Sequence, residues 1–229
     1  MRMGGAAHVN ATTPAQGEAY NPPPDTGLVV IHADDDLLVL DKPSGLLSVP
    51  GKGDHLSDCL MTRAQAEYPQ ALLVHRLDRD TSGLIIFAMN PGAQRHLGLQ
   101  FERRHLSKTY EALVEGSVAE ESGLIDLPIT VDWPNRPLQK ICHETGRPAL
   151  TRWRVLSRKG GLTRMKLDPE TGRSHQLRLH MKELGHPIAG DSLYGNAASA
   201  PRLMLHARKL TLHHPTGRQI IQFEAPVPF

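Results

Sequence analysis

The ten residues His75-Arg76-Leu77-Asp78-Arg79-Asp80-Thr81-Ser82-Gly83-Leu84 place two carboxylates, two guanidiniums and two hydroxyls directly ahead of the apolar run 85–89. A carboxylate flanked by arginines at the entrance to a strand can act as a nucleophile or general base facing a cleft. The same residues also make ordinary turns, with Asp80, Thr81 or Ser82 bonding local backbone and Asp78 paired to an arginine. The residues alone leave both readings open.

Charge is the second chemical signal. The 229 residues hold 26 Lys and Arg against 24 Asp and Glu, a net +2 that names no partner. Residues 136–182, however, carry 12 basic and three acidic side chains, a surplus of nine, and the remainder has a deficit of seven. A basic stretch of this kind suits phosphates if it folds onto one face, and is otherwise a solvated face that pairs with acids elsewhere. Arg158, Lys159 and Arg178 of this stretch are expected to contact RNA if the first alternative holds.

The 13 histidines offer no metal pattern. His175 and His180 are five apart, off the i, i+4 spacing of a helical zinc pair, and neither belongs to an HExxH motif. Two cysteines, Cys59 and Cys142, lack partners at zinc-ligand spacing and are too few for a disulfide scaffold. No metal is expected, and a reducing cytoplasm is the expected location. The N-terminus lacks the pattern of a signal peptide, and no run approaches the roughly 18 apolar residues of a membrane helix.

These side chains need elements to hold them. Residues 1–25, ending in Asn21-Pro22-Pro23-Pro24, read as a flexible tail, and 26–229 as one domain. Apolar runs on either side of Asp34-Asp35-Asp36 predict a β-hairpin. Helices are expected around Leu60, Ala64 and Ala66, capped by Ser57, and over 92–104. A third helix is expected to follow Ser174 as N-cap, with Leu177, Met181 and Leu184 on one stripe and Gly185 just past its end. Arg178 and Lys182 share another face of it. Strands are expected at 83–90, 109–118, 151–157, 162–168, 202–214 and 218–226. Many strands, few helices and no regular alternation indicate an α+β class with a largely antiparallel sheet.

The segment HRLDRDTSGL resembles the H-R-L-D-x-x-T-S-G signature of the RluA-type pseudouridine synthases. Further blocks follow in that family's order: LDKPSGLLSVPG at 40–51, Lys108-Thr109-Tyr110, TGRSHQLRLHM at 171–181, GHPIAGDSLYG at 185–195 and LMLHA at 203–207. Nearly everything from Tyr20 to Phe229 is covered. YNPP at 20–23 and the stretch 132–149 resemble the family's small dual-specificity branch, which acts on a tRNA anticodon-loop uridine and on one in a 23S rRNA hairpin. No S4-like domain is expected ahead of Leu28.

The resemblance implies a pseudouridine synthase fold and an isomerase acting on tRNA and 23S rRNA stem-loops as a monomer, without an obligate protein partner. Isomerisation breaks a glycosidic C–N bond and forms a C–C bond without net redox change, so no cofactor is expected. Asp78 matches the catalytic aspartate and Arg173 the arginine held against it, which would grip the carboxylate with two hydrogen bonds. Tyr110 matches the tyrosine that stacks on the target base, and Leu177 supplies an apolar wall. Arg76 matches a residue that fills the space left by the flipped base. His75 and His175 are expected at the substrate, His175 contacting phosphate or orienting the site.

Overall fold

The computed structural model describes residues 20–217 and 219–229. Residues 1–19, most of the expected tail, lie outside the described residues. Packing begins before the boundary expected at residue 25. The Tyr20 hydroxyl donates to the Asp58 carbonyl at 2.8 Å and accepts from the Leu47 N–H at 3.1 Å, and Arg63 donates to the Pro23 carbonyl at 2.8 Å.

The hairpin forms as expected from β1 (Val30–Ala33) and β2 (Leu37–Lys42). Its turn is closed by Asp34, whose Oδ1 accepts the N–H groups of Asp36 and Leu37 at 2.8 and 2.7 Å. β2 pairs with β4 (Ser82–Ala88), in which all seven residues are buried. The reason is the period of two. Leu84, Ile86 and Ala88 face α2 (Pro91–Arg103) through Ala93 and Leu97, whereas Ile85 and Phe87 face α1 (Leu60–Glu67) through Leu60 and Ala64. The N-cap of α1 is Cys59, in a capping box with Thr62, and not Ser57, whose hydroxyl donates to the Asp54 carbonyl.

Beyond a two-residue strand β3 (Leu72–Leu73) on β4, the sheet is built from β5 (Ser107–Glu115), β6 (Ser122–Asp126), β9 (Leu150–Lys159), β10 (Leu162–Pro169), β11 (Leu205–His213) and β12 (Ile220–Glu224). The order is β1-β2-β4-β11-β5-β10-β9-β6, with β12 also on β11. Every pairing is antiparallel except β4 with β11, at Ser82 opposite His206 and Gly83 opposite Ala207. Gly83 has φ +109, and a Cβ there would stand 2.3 Å from the Ala207 carbonyl oxygen, so only glycine lets the two strands meet. The sheet is mixed, mainly antiparallel and served by three α-helices among the described residues, which is the expected α+β class.

Two strands outside that sheet carry too few residues to show a period. β7 (Ile129–Val131) and β8 (Gln139–Ile141) form a separate hairpin. At its tip Trp133 is 67% exposed, with the Arg136 guanidinium 3.5 Å above its ring. Trp153, by contrast, is a core residue.

The third helix, α3 (Gln176–Glu183), starts one residue later than expected. His175 occupies its N-cap in a left-handed conformation, φ +54. Its end matches expectation: the N–H of Gly185, φ +87, bonds Lys182 and that of His186 bonds Met181, satisfying two of the last carbonyls. Leu177 and Met181 pack on Ala112, Met165 and Leu167 of β5 and β10. Gln176, Arg178 and His180 are buried as well, so this short helix carries polar groups into the interior on several sides. His180 is accounted for by Thr151 Oγ1 at 2.9 Å and the Leu127 carbonyl at 3.2 Å.

Candidate active site

The loop bearing Asp78 is held through its backbone by the segment that follows β2. Ser48 Oγ both donates to the Leu77 carbonyl at 2.7 Å and accepts the Leu77 N–H at 3.1 Å. The fully buried Lys42 directs its ammonium at three carbonyls, those of Pro43, Leu46 and Arg79, at 2.9, 2.6 and 2.8 Å. Burial lowers its pKa to about 7 even though Asp80 and Asp78 oppose the shift. Ser44 Oγ donates to the Asp80 carbonyl at 2.6 Å. On the other side His75 Nε2 accepts the Ile86 N–H at 3.0 Å, and its ring stacks on Phe101 at 4.6 Å. Desolvation, with Lys108 nearby, holds its pKa near 3 and the ring neutral.

Two carboxylates two residues apart take different places. Asp80 accepts both Nε and Nη2 of Arg79, at 2.8 and 3.1 Å. Asp78 instead lines a cavity of about 300 Å³ together with Arg76, Tyr110, Leu177 and Arg178. That volume is at the small end of ligand sites and suits one nucleoside rather than a helix. β5 supplies Tyr110, flanked by Leu167 of β10 and Ala207 of β11. Burial, and then the negative charge of Asp78, push its pKa far up, so the group stays a phenol.

The arginine beside Asp78 is Arg178, not Arg173. Arg178 Nη1 lies 3.9 Å from Asp78 Oδ2, while its Nε and Nη2 donate to the two oxygens of the fully buried Asp191 at 2.8 and 2.6 Å. Asp191 Oδ1 also accepts the N–H groups of Leu193 and Tyr194 at 2.8 and 3.0 Å. Burial raises the Asp191 pKa, but Arg178 and those two N–H groups more than offset it, and the net shift is downward. Arg178 is correspondingly raised despite its burial. This bidentate pair fixes the guanidinium so that its third nitrogen faces Asp78. Arg178 is thus committed to carboxylates inside the protein rather than offered to RNA phosphate. Arg173 precedes the helix, donates Nε to the Pro148 carbonyl at 3.0 Å and stands at the cavity wall without a carboxylate.

Two further groups set the α3 end of the cavity. Gln176 Oε1 accepts from Thr171 Oγ1 at 2.7 Å and from the Arg173 N–H at 3.0 Å, and its Nε2 donates to the Leu150 carbonyl and Thr151 Oγ1, both at 3.0 Å. All four of its hydrogen-bonding positions are filled. His175 Nδ1 shares a hydrogen bond of 2.9 Å with Tyr194 Oη, which also accepts the Gln139 N–H at 2.8 Å. Desolvation lowers the His175 pKa. Lys42, Ser48, Gln176, Asp191 and Tyr194 lie within the family-like blocks at 40–51, 171–181 and 185–195, but none of them was singled out from the sequence as a site residue. Lys42 closes a strand that is apolar up to Asp41, the one local feature that sets any of them apart.

His75, Arg76, Asp78, Tyr110, Arg173, His175, Leu177 and Arg178 all line the same cavity. Arg158 and Lys159 do not. They lie at the opposite end of β9, where Arg158 pairs in register with Thr163, six residues and roughly 20 Å along β10 from Pro169.

A model of RNA pseudouridylate synthases matches residues 36–183. The chain belongs to that family. It is 51% identical over 216 residues to the dual-specificity RNA pseudouridine synthase RluA of Escherichia coli O6:H1, covering 93% of this chain and 99% of that relative. The RluA of Yersinia pestis is 49% identical over 206 residues, covering 88% of this chain and all of that one. The solved structure of human RNA pseudouridylate synthase domain containing 1 superposes with a TM-score of 0.76 at 29% identity, over 91% of the synthase and 87% of the human chain. The synthase is an RNA-modifying isomerase. No helix among its described residues is long and apolar enough to cross a membrane.

Proposed function

We propose that the synthase converts uridine to pseudouridine at two sites, the first 5′ position of a tRNA anticodon loop and a 23S rRNA hairpin loop, after flipping the base out of its stack. The observation that carries the reading is Asp78 in a nucleoside-sized cavity, with Arg178 on one side and the Tyr110 phenol nearby. Half of the residues in the RluA relatives are shared across almost their whole length, which supports the dual specificity.

In this reading the target uridine enters the cavity and Arg76 takes the space it leaves. Flipping costs a few kcal/mol, less in a loop than in a duplex. Tyr110 stacks on one face of the ring and Leu177 packs on the other. Asp78 is the carboxylate that starts the reaction at the nucleoside, and Arg178 orients it while Asp191 holds Arg178 still. Carbon–carbon bond formation leaves a proton on C5. A phenol whose pKa is raised is not a resting base, so that proton passes to Asp78 or to water, with Tyr110 donating a hydrogen bond. In this reading the enzyme works as a monomer without a protein partner, in the cytoplasm where its RNAs are. The chemistry calls for no metal or cofactor.

Mapping pseudouridines in total RNA from cells with and without the gene tests the substrate assignment. Loss of one tRNA anticodon-loop position and one 23S rRNA position is expected. Loss in only one RNA class would remove the dual specificity, and an unchanged map would overturn the assignment.

A further inference from the structure

Two cations, Lys108 and Arg173, line one wall of the cavity, and Arg104 and Arg147 stand in the segments next to it. Lys108, two residues before Tyr110 on β5, lines the cavity, and among the described residues its ammonium makes one long hydrogen bond of 3.4 Å, to the Thr171 carbonyl. Its ammonium would lie 3.5 Å from a Cβ placed on Gly172, so it reaches the loop that carries Arg173. Arg173 in turn touches the carbonyl of Pro148, next to the exposed Arg147. Arg104 follows α2 one turn after Phe101, another cavity residue, and adopts φ +59 where glycine or asparagine is usual. Its side chain is exposed.

The four are close enough to work against one another. Burial and then Arg147 and Arg104 lower the pKa of Arg173, and burial and then Arg104 lower that of Lys108 to about 8. No ion pair or side-chain bond to an acid engages any of them among the described residues, whereas Arg63, Arg79, Arg152, Arg158, Arg164, Arg178 and Arg208 each have one. Like charges gathered at the mouth of a site are stabilised by an anion that arrives with the ligand.

We infer that Arg104, Arg147, Arg173 and Lys108 form a phosphodiester clamp that grips the RNA backbone beside the flipped nucleotide. This rests on the reading above that a uridine enters the cavity. It gives Arg173 a role in place of the carboxylate contact it does not make, and it locates the RNA footprint on the loop 171–174 side. Four donors around one mouth fix the register of the strand. They carry no sequence information themselves, which fits an enzyme that accepts two different RNAs.

The test is the salt dependence of binding of an anticodon stem-loop, measured from 50 to 300 mM salt in an Asp78→Asn background so that the RNA is not turned over. Each neutralised phosphate contributes about 0.7–0.9 to the slope of log affinity against log salt. Replacing Arg104, Arg147 and Arg173 together by Ala should lower that slope by about 2 and weaken binding at least about tenfold at low salt. Replacing the three by Lys should keep the slope, which separates charge from any local disturbance of the loop. An unchanged slope in the Ala variant would overturn the clamp. So would a slope lost equally in the folded Lys variant. The proposed activity is judged separately, by turnover of the unaltered protein: turnover with an unchanged slope leaves that reading standing and removes only the clamp.

Discussion

Both ends of the β9–β10 hairpin carry clustered cations in and next to them, and these cations do opposite things. At the far end Arg158 donates Nε to the Val118 carbonyl at 2.7 Å, reaches Ala119 and Glu120 with Nη2 and pairs with Glu121 at 2.8 Å. At the near end Arg173 and Arg147 have no acid, and Arg178 is buried between two. A basic run therefore locates a binding face only after the engaged cations are subtracted. What distinguishes the near end is not more charge but the frame that holds it: Gln176, Thr171 and Asp191 fix the loop and helix so that some arginines must face the cavity.

The sharpest way to break this comparison is to exchange the two near-end arginines' roles. Arg178→Lys keeps a charge but loses the bidentate grip on Asp191, and kcat for uridine isomerisation should fall by about 100-fold or more, whereas Arg173→Lys should change it less than about threefold. Equal losses would contradict the assignment of Arg178 as the partner of Asp78. Truncating the frame comes next. Gln176→Ala removes four hydrogen bonds from the buried frame, among them the one donated by the Thr171 hydroxyl, and should lower unfolding stability by about 1–3 kcal/mol in urea titration. The same change at the exposed Lys159 should have no measurable effect.

Protonation separates the two ends in a further way. His75 at the near end is neutral in the fold, its pKa lowered from 6.5 to about 3 chiefly by desolvation. The unfolded chain binds that proton first, so the stability held above about pH 6.5 is lost as pH falls toward 3. Thermal unfolding midpoints should drop over that window, and His75→Gln should flatten the drop. A His75→Gln profile parallel to the original would contradict a neutral, Ile86-bonded imidazole. The smallest effect is expected far from the cavity: Ala at both Arg158 and Lys159 should change stem-loop affinity less than about twofold and leave the salt slope within error, because Arg158 is already engaged by its own chain. A slope reduced by about 1 or more would return those residues to the RNA footprint.

The strands were legible where burial imposes a period. The run 83–89 is apolar because helices cover both faces of β4, and Gly185 announces the end of α3 through its left-handed backbone. β7 and β8 were not legible, since three residues each show no alternation and they pair with each other outside the main sheet. Asp78 and Tyr110 were recognisable from their motifs. The choice between Arg173 and Arg178 was not. It depends on Asp191, 13 residues further on, and nothing local in the sequence says which arginine a distant buried carboxylate will hold. Lys42 illustrates the same limit: its chemistry is visible only once three carbonyls are seen to converge on it.

The central claim is that Asp78, aimed by Arg178, isomerises a flipped uridine. It is tested most directly with an anticodon stem-loop carrying tritium at uridine C5, under single-turnover conditions, for the protein and its Asp78→Asn variant. Release of the tritium to water with the base still attached, abolished in Asp78→Asn while stem-loop affinity stays within about threefold, is the predicted result. Release by the variant at a comparable rate would remove Asp78 from the mechanism, and no release by the unaltered protein would contradict the account.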